Sequence, residues 1–133
     1  MAVPSVLIVE DEPDILELLA LHFTRQGYDV RRACCVVDAL AQIKQQLPNL
    51  VLTDLCLPGP GGIEIVRFLR ADARSAKVPV IMVSAAPAPP PTGPDAEPFL
   101  FVGKPFGLQD INIAVDMLMN RASRAKHERL GAK

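Results

Sequence analysis

Four short apolar runs, each closed by a polar residue, limit this chain more than any other feature. Val6-Leu7-Ile8-Val9 runs into Glu10 and Asp11, and Leu50-Val51-Leu52-Thr53 into Asp54. Val80-Ile81-Met82-Val83 ends at Ser84, and Leu100-Phe101-Val102-Gly103 ends at Lys104. Continuous apolar runs of strand length read as strands buried on both faces, the signature of a parallel sheet covered by helices. In an open sheet of that kind, residues just beyond the strand C-termini share one crevice, and ligands bind there. Three carboxylates, a hydroxyl and an ammonium in one crevice make a site for a divalent cation and a phosphoryl group.

The segments between these runs read as helices. Pro13 suits a helix N-terminus with Asp11 or Glu12 near the cap, and Ile15, Leu18, Leu19 and Phe23 share one face up to Gly27. Tyr28–Ala33 reads as a further strand. Ala39, Leu40, Ile43 and Leu47 predict a second helix stopping before Pro48, and Ile65, Val66, Leu69 and Ala73 a third. From Gly107 onward, Leu108, Ile111, Val115 and Leu118 predict the last. Strands separated by single helices imply parallel pairing with right-handed crossovers. The expected fold class is therefore α/β.

One stretch breaks the alternation. Six of the thirteen prolines lie between Pro87 and Pro98. Each removes a backbone donor and turns its predecessor away from helical angles, so no regular helix is expected over Ala86–Glu97. An extended, mobile proline-rich loop should stand there, leaving Ile81, Val83, Phe99 or Phe101 without their usual cover on one face. A partner or a second copy is expected to cover that side.

A length of 133 residues fits one domain, and a net charge of −1 gives no general reason to expect nucleic-acid or membrane affinity. No apolar stretch approaches the roughly 18 residues of a membrane span. Cys34, Cys35 and Cys56 are odd in number and lack metal-type spacing. With a start that does not resemble a signal peptide, they favour a cytoplasmic protein with free thiols. Arg121–Lys133 carries five basic residues against Glu128, and reads as an extension of the last helix or the start of a linker. Domain limits of 1–122 with a basic tail over 123–133 follow.

The motifs Val-Leu-Ile-Val-Glu-Asp-Glu-Pro-Asp-Ile, Leu-Thr-Asp-Leu-Cys-Leu-Pro-Gly, Ile-Met-Val-Ser-Ala and Val-Gly-Lys-Pro-Phe occur in that order. In these the chain resembles the receiver domains of two-component response regulators, over about Ser5 to Ala122. The resemblance implies a flavodoxin-like doubly wound five-stranded sheet of order 2-1-3-4-5, here with the helix between strands 4 and 5 replaced by the proline-rich loop. It implies Asp54 as phosphoacceptor from a sensor histidine kinase, a phosphotransfer protein or a small phosphodonor. Asp11, Asp54 and the main-chain carbonyl of Cys56 would hold magnesium, or manganese in its place, with Glu10 acting through a water. Ser84 and Lys104 would contact the phosphoryl group, Phe101 would couple to the switch, and Lys104-Pro105 would be a cis peptide. Homodimerisation and an output domain outside this chain belong to the same expectation.

Two other classes compete with this one. A pseudo-receiver would keep the fold as a phosphorylation-independent binding module, with the proline-rich segment as its best support. An aspartate-nucleophile hydrolase of the haloacid dehalogenase type needs a second aspartate two residues after the first, where this chain has Cys56. That reading is set aside. His22, on a helix packed against core, and His127, in the basic tail, are not expected to relay phosphoryl groups.

Overall fold

The computed structural model describes residues 3–59, 61–85 and 98–131, with side chains through Met119. Five parallel strands form one sheet: β1 (Ser5–Val9), β2 (Asp29–Ala33), β3 (Leu50–Asp54), β4 (Val80–Ser84) and β5 (Phe99–Gly103). Their order is β2-β1-β3-β4-β5. Helices α1 (Pro13–Arg25), α2 (Val36–Gln45), α3 (Ile63–Arg70) and α4 (Leu108–Gly131) lie between and after them. Every residue of β1, β3 and β4 is buried, as their unbroken apolar sequences require. The outer strands are partly exposed, and on β2 Arg32 is paired with Glu17, a charged guard on an open edge.

Two cores flank the sheet. Leu7, Val9, Val51, Val80 and Met82 face Ala39 and Ile43 of α2 and Ile65, Val66 and Leu69 of α3. On the opposite side, Val6, Ile8, Leu52, Ile81 and Val83 face Leu19 and Phe23 of α1 and Ile111 and Leu118 of α4. The two-residue period of a strand sorts these sets. Helix α1 stops where Gly27 takes a positive φ of 95°, and the Tyr28 amide donates back to the Phe23 carbonyl at 3.0 Å.

Several expectations need correction. Ile81 and Val83 do not share a face with Phe99 and Phe101. In register, Val80 pairs with Phe99 and Met82 with Phe101 on the α2–α3 side, while Ile81 and Val83 are fully buried beneath α1 and α4. Phe99 is also buried and Phe101 half-buried, so the expected bare patch is absent at these positions. Leu47 and Ala73 lie beyond the ends of α2 and α3. Gln46 is already extended at φ −159°, and Asp72 binds the Arg74 amide through its side chain at 2.9 Å, a local turn that replaces helix. Residues 86–97, the core of the proline-rich segment, lie outside the described residues; among those described, β5 follows β4 directly. The α4 backbone runs as one helix across the 122/123 boundary drawn from the sequence.

Candidate phosphoryl and metal site

At the C-terminal edge of the sheet, β1 delivers Glu10 and Asp11, β3 delivers Asp54, β4 delivers Ser84, and β5 leads into Lys104. The expected residues come together because parallel strands end on one side. Carboxylate oxygens of Glu10, Asp11 and Asp54 lie within 4.8 Å of one another. Glu10 has no exposed surface and Asp54 is buried, while Asp11 is exposed. Such a cluster of negative charge offers hard oxygen donors that suit a small divalent cation, so the donor set fits a metal ion.

The lysine closes the cluster. Lys104 Nζ stands 2.8 Å from Asp54 Oδ2 and 3.4 Å from Glu10 Oε1. Burial alone would lower the Lys104 ammonium, but its bond to Asp54 and the charges of Glu10 and Asp54 outweigh that and hold it above its ordinary value. Glu10 is pushed the other way from a normal carboxylate. Burial raises its pKa, the Glu12 amide lowers it, and the charge of Asp54 raises it further, with a net upward shift despite Lys104. Glu10 Oε2 accepts from the Glu12 amide at 3.2 Å. Thus Glu12 occupies the α1 cap without a side-chain cap bond, and the preceding Glu10 serves the first turn instead.

The main chain around Asp54 is tightly fixed. Its Oδ1 accepts from the Cys56 amide at 2.9 Å, and Cys56 Sγ lies 3.5 Å from the buried Ser84 hydroxyl oxygen. The Gly62 amide closes the β3–α3 loop by donating to the Leu55 carbonyl at 3.0 Å. A Cβ at Gly62 would collide with the Asp54 carbonyl oxygen. In the sequence Gly62 reads only as part of the turn-rich loop Leu57-Pro58-Gly59-Pro60-Gly61-Gly62; the doubled glycine after Pro60 is the signal of a close backbone approach. Phe101 packs half-buried against the α2–α3 core rather than among the polar groups. The Lys104-Pro105 peptide is cis, and the Lys104 amide donates to the Ser84 carbonyl at 2.8 Å. All three cysteines are free. His22 bonds Asn112 between α1 and α4, away from the cluster.

The molecule is thus an α/β module whose parallel sheet carries an acidic cluster and a lysine at its C-terminal edge. Residues 6–116 match the family described as response regulator receiver domain, and the chain belongs to that family. The DNA-binding dual master transcriptional regulator RpaA of Synechocystis is 32% identical over 133 residues, covering 96% of this chain and 55% of that protein. The phosphate regulon regulator PhoB of Pseudomonas aeruginosa is 38% identical over 81 residues, covering 61% and 35%. This chain thus spans about half the length of these relatives, or less. Among solved structures, the Francisella response regulator 1452 receiver domain superposes with a TM-score of 0.74 at 26% identity, covering 90% of this chain and 98% of that one. The chemotaxis response regulator CheY4 of Vibrio cholerae, at 21% identity and a TM-score of 0.78, covers 88% and 99% and shares the fold. No helix among the described residues is long and apolar enough to cross a membrane.

Proposed function

We propose that Asp54 accepts a phosphoryl group and that this charge switches partner binding in two-component signal transduction. The observation that carries the reading is the 2.8 Å contact of Lys104 with an Asp54 carboxylate that also belongs to a three-carboxylate cluster. In the transfer, an Asp54 oxygen attacks phosphorus in line, the bond to the donor nitrogen or oxygen breaks, and the donor leaves with the electron pair. Lys104 holds the attacking carboxylate and then follows the new phosphoryl oxygens as a point charge. Ser84 donates its hydroxyl to one of them.

Magnesium, or manganese, is the proposed metal, held by Asp11, Asp54 and the Cys56 carbonyl, with Glu10 through a water. When bound it would neutralise the crowded phosphoryl oxygens. The donor is a sensor histidine kinase, a phosphotransfer protein or a small phosphodonor. We place its approach at an apolar cleft of about 340 Å³ beside Lys104, lined by Ile15, Leu18, Ala85 and Phe106. Self-association is placed on the β5–α4 side, where Ile113 and Met117 are exposed beside Leu100 and Val102. A cytoplasmic setting and an output domain outside this chain complete the reading.

Intact mass after acetyl phosphate and magnesium tests it. The wild type should gain one phosphoryl group, the Asp54→Asn variant none, and neither should react in EDTA. Equal labelling of the variant would refute Asp54 as acceptor. An unlabelled wild type that still binds its partner would mark a phosphorylation-independent module.

A further inference from the structure

Lys104 reaches Asp54 from the end of β5, an edge strand of the sheet. β5 is at the edge and, among the described residues, pairs with β4 alone. Its far end is tied by the Lys104 amide on the Ser84 carbonyl. At its near end the chain returns through Pro98, whose carbonyl accepts from the Val80 amide at 3.1 Å. The same carbonyl accepts from Arg70 Nη2 at 2.9 Å, while Arg70 Nη1 donates to the Val78 carbonyl at 2.8 Å. Arg70 is the last residue of α3, the helix that follows Asp54 in the chain. One half-buried guanidinium therefore binds the approach to β4 and the approach to β5 together.

We propose that Arg70 is a positioning residue for the phosphoryl site: by fixing Pro98 it holds β5 in register and so sets where the Lys104 ammonium stands. A parallel strand has no turn to fix its register, and a one-residue slip would turn every side chain to the other face. Slippage or fraying of β5 would move Lys104 while leaving Glu10, Asp11 and Asp54 on β1 and β3 untouched. Arginine is the suited residue because its planar fork spans two carbonyls; a lysine offers one point charge. The effect on transfer rests on the acceptor reading given above, whereas the effect on β5 and Lys104 does not.

The test compares Arg70→Gln and Arg70→Lys with wild type, and with Arg67→Gln as a control, since Arg67 on the same helix is exposed and pairs with Glu64. Amide hydrogen exchange reads Leu100–Val102 against Val6–Val9 and Leu50–Thr53. Acetic anhydride labelling reads Lys104 against the exposed Lys44 and Lys77. Magnesium affinity and the rate of acetyl phosphate labelling complete the set. In Arg70→Gln, β5 amides should exchange about tenfold faster, as expected from losing charge-assisted bonds. Lys104 acylation should rise and phosphoryl labelling slow by a similar factor, with the β1 and β3 amides unchanged and metal affinity not lowered, since displacing the ammonium removes a cation from the acidic cluster. Arg70→Lys should fall between, and it carries the same measurements if Arg70→Gln fails to fold. Unchanged β5 exchange and unchanged Lys104 acylation would overturn the proposal. So would uniform loosening of β1, β3 and β5 with loss of metal affinity, which marks a general structural role. A wild type that takes no label would reject the acceptor reading, leaving exchange and acylation to decide on Arg70.

Discussion

Glu10 has no exposed surface, and its carboxyl is held above its ordinary range chiefly by burial. A raised carboxyl pKa means the folded state binds the proton more tightly than the unfolded state. The ionised form therefore costs stability, fully so above the folded pKa, and the cost fades as pH falls back through the window to 4.5. Glu10→Gln should accordingly melt higher than wild type at pH 7.5 in EDTA, and the difference should vanish near pH 4. A variant less stable at pH 7.5 would show that the contacts with the Glu12 amide and Lys104 outweigh burial. Asp11 contributes charge to the same cluster from an exposed position. Asp11→Asn should raise the melting temperature without metal, and should lose both the magnesium response and phosphoryl labelling. If both survive in that variant, the metal assignment is wrong. These residues were legible in the sequence because each ends an apolar run, and the topology needs only strand ends to assemble them. Gly62 and Arg70 were not, since one acts through a contact of its missing Cβ and the other through main-chain carbonyls of segments distant in sequence.

At the scale of elements, alternation along β4 separates side chains that apolar content alone lumps together. Ile81 and Val83 point toward α1 and α4, whereas Val80 and Met82 point toward α2 and α3. The misplaced bare patch arose because a fully apolar strand carries no polar marker of its two faces. Ile81→Ala removes a fully buried side chain and should cost about 2–5 kcal/mol in denaturant unfolding. A cost below ~1 kcal/mol would contradict the burial described for β4. The β3–α3 loop makes a sharper case. Gly62→Ala forces its methyl against the Asp54 carbonyl, and overpacking of this kind costs about 1–3 kcal/mol. Because the displaced atom belongs to the acceptor's own main chain, labelling should slow as well. Unaltered stability and rate would mean the loop yields freely. Helix ends were the least legible elements: Leu47 and Ala73 continue the apolar spacing, but an extended Gln46 and the Asp72 turn stop the helices first.

For the molecule as a whole, the site lies where β1, β3, β4 and β5 converge, so binding there ties the sheet together. Magnesium at ten times its Kd should stabilise the fold by about 1.4 kcal/mol, a rise of ~4–7 °C in Tm. A thermal scan without that rise would remove the metal from the account. The parallel direction of the strands was readable from the strand–helix alternation, whereas their order came from the resemblance that the motifs carry. Which face each edge residue takes, and what anchors β5, depend on long-range pairing that no local pattern records. The central claim is that the acyl phosphate forms on Asp54. After reaction with acetyl phosphate and magnesium, borohydride reduction followed by peptide mapping should convert residue 54, and no other aspartate, to homoserine. Conversion at Asp11, or no conversion at all, would contradict the account.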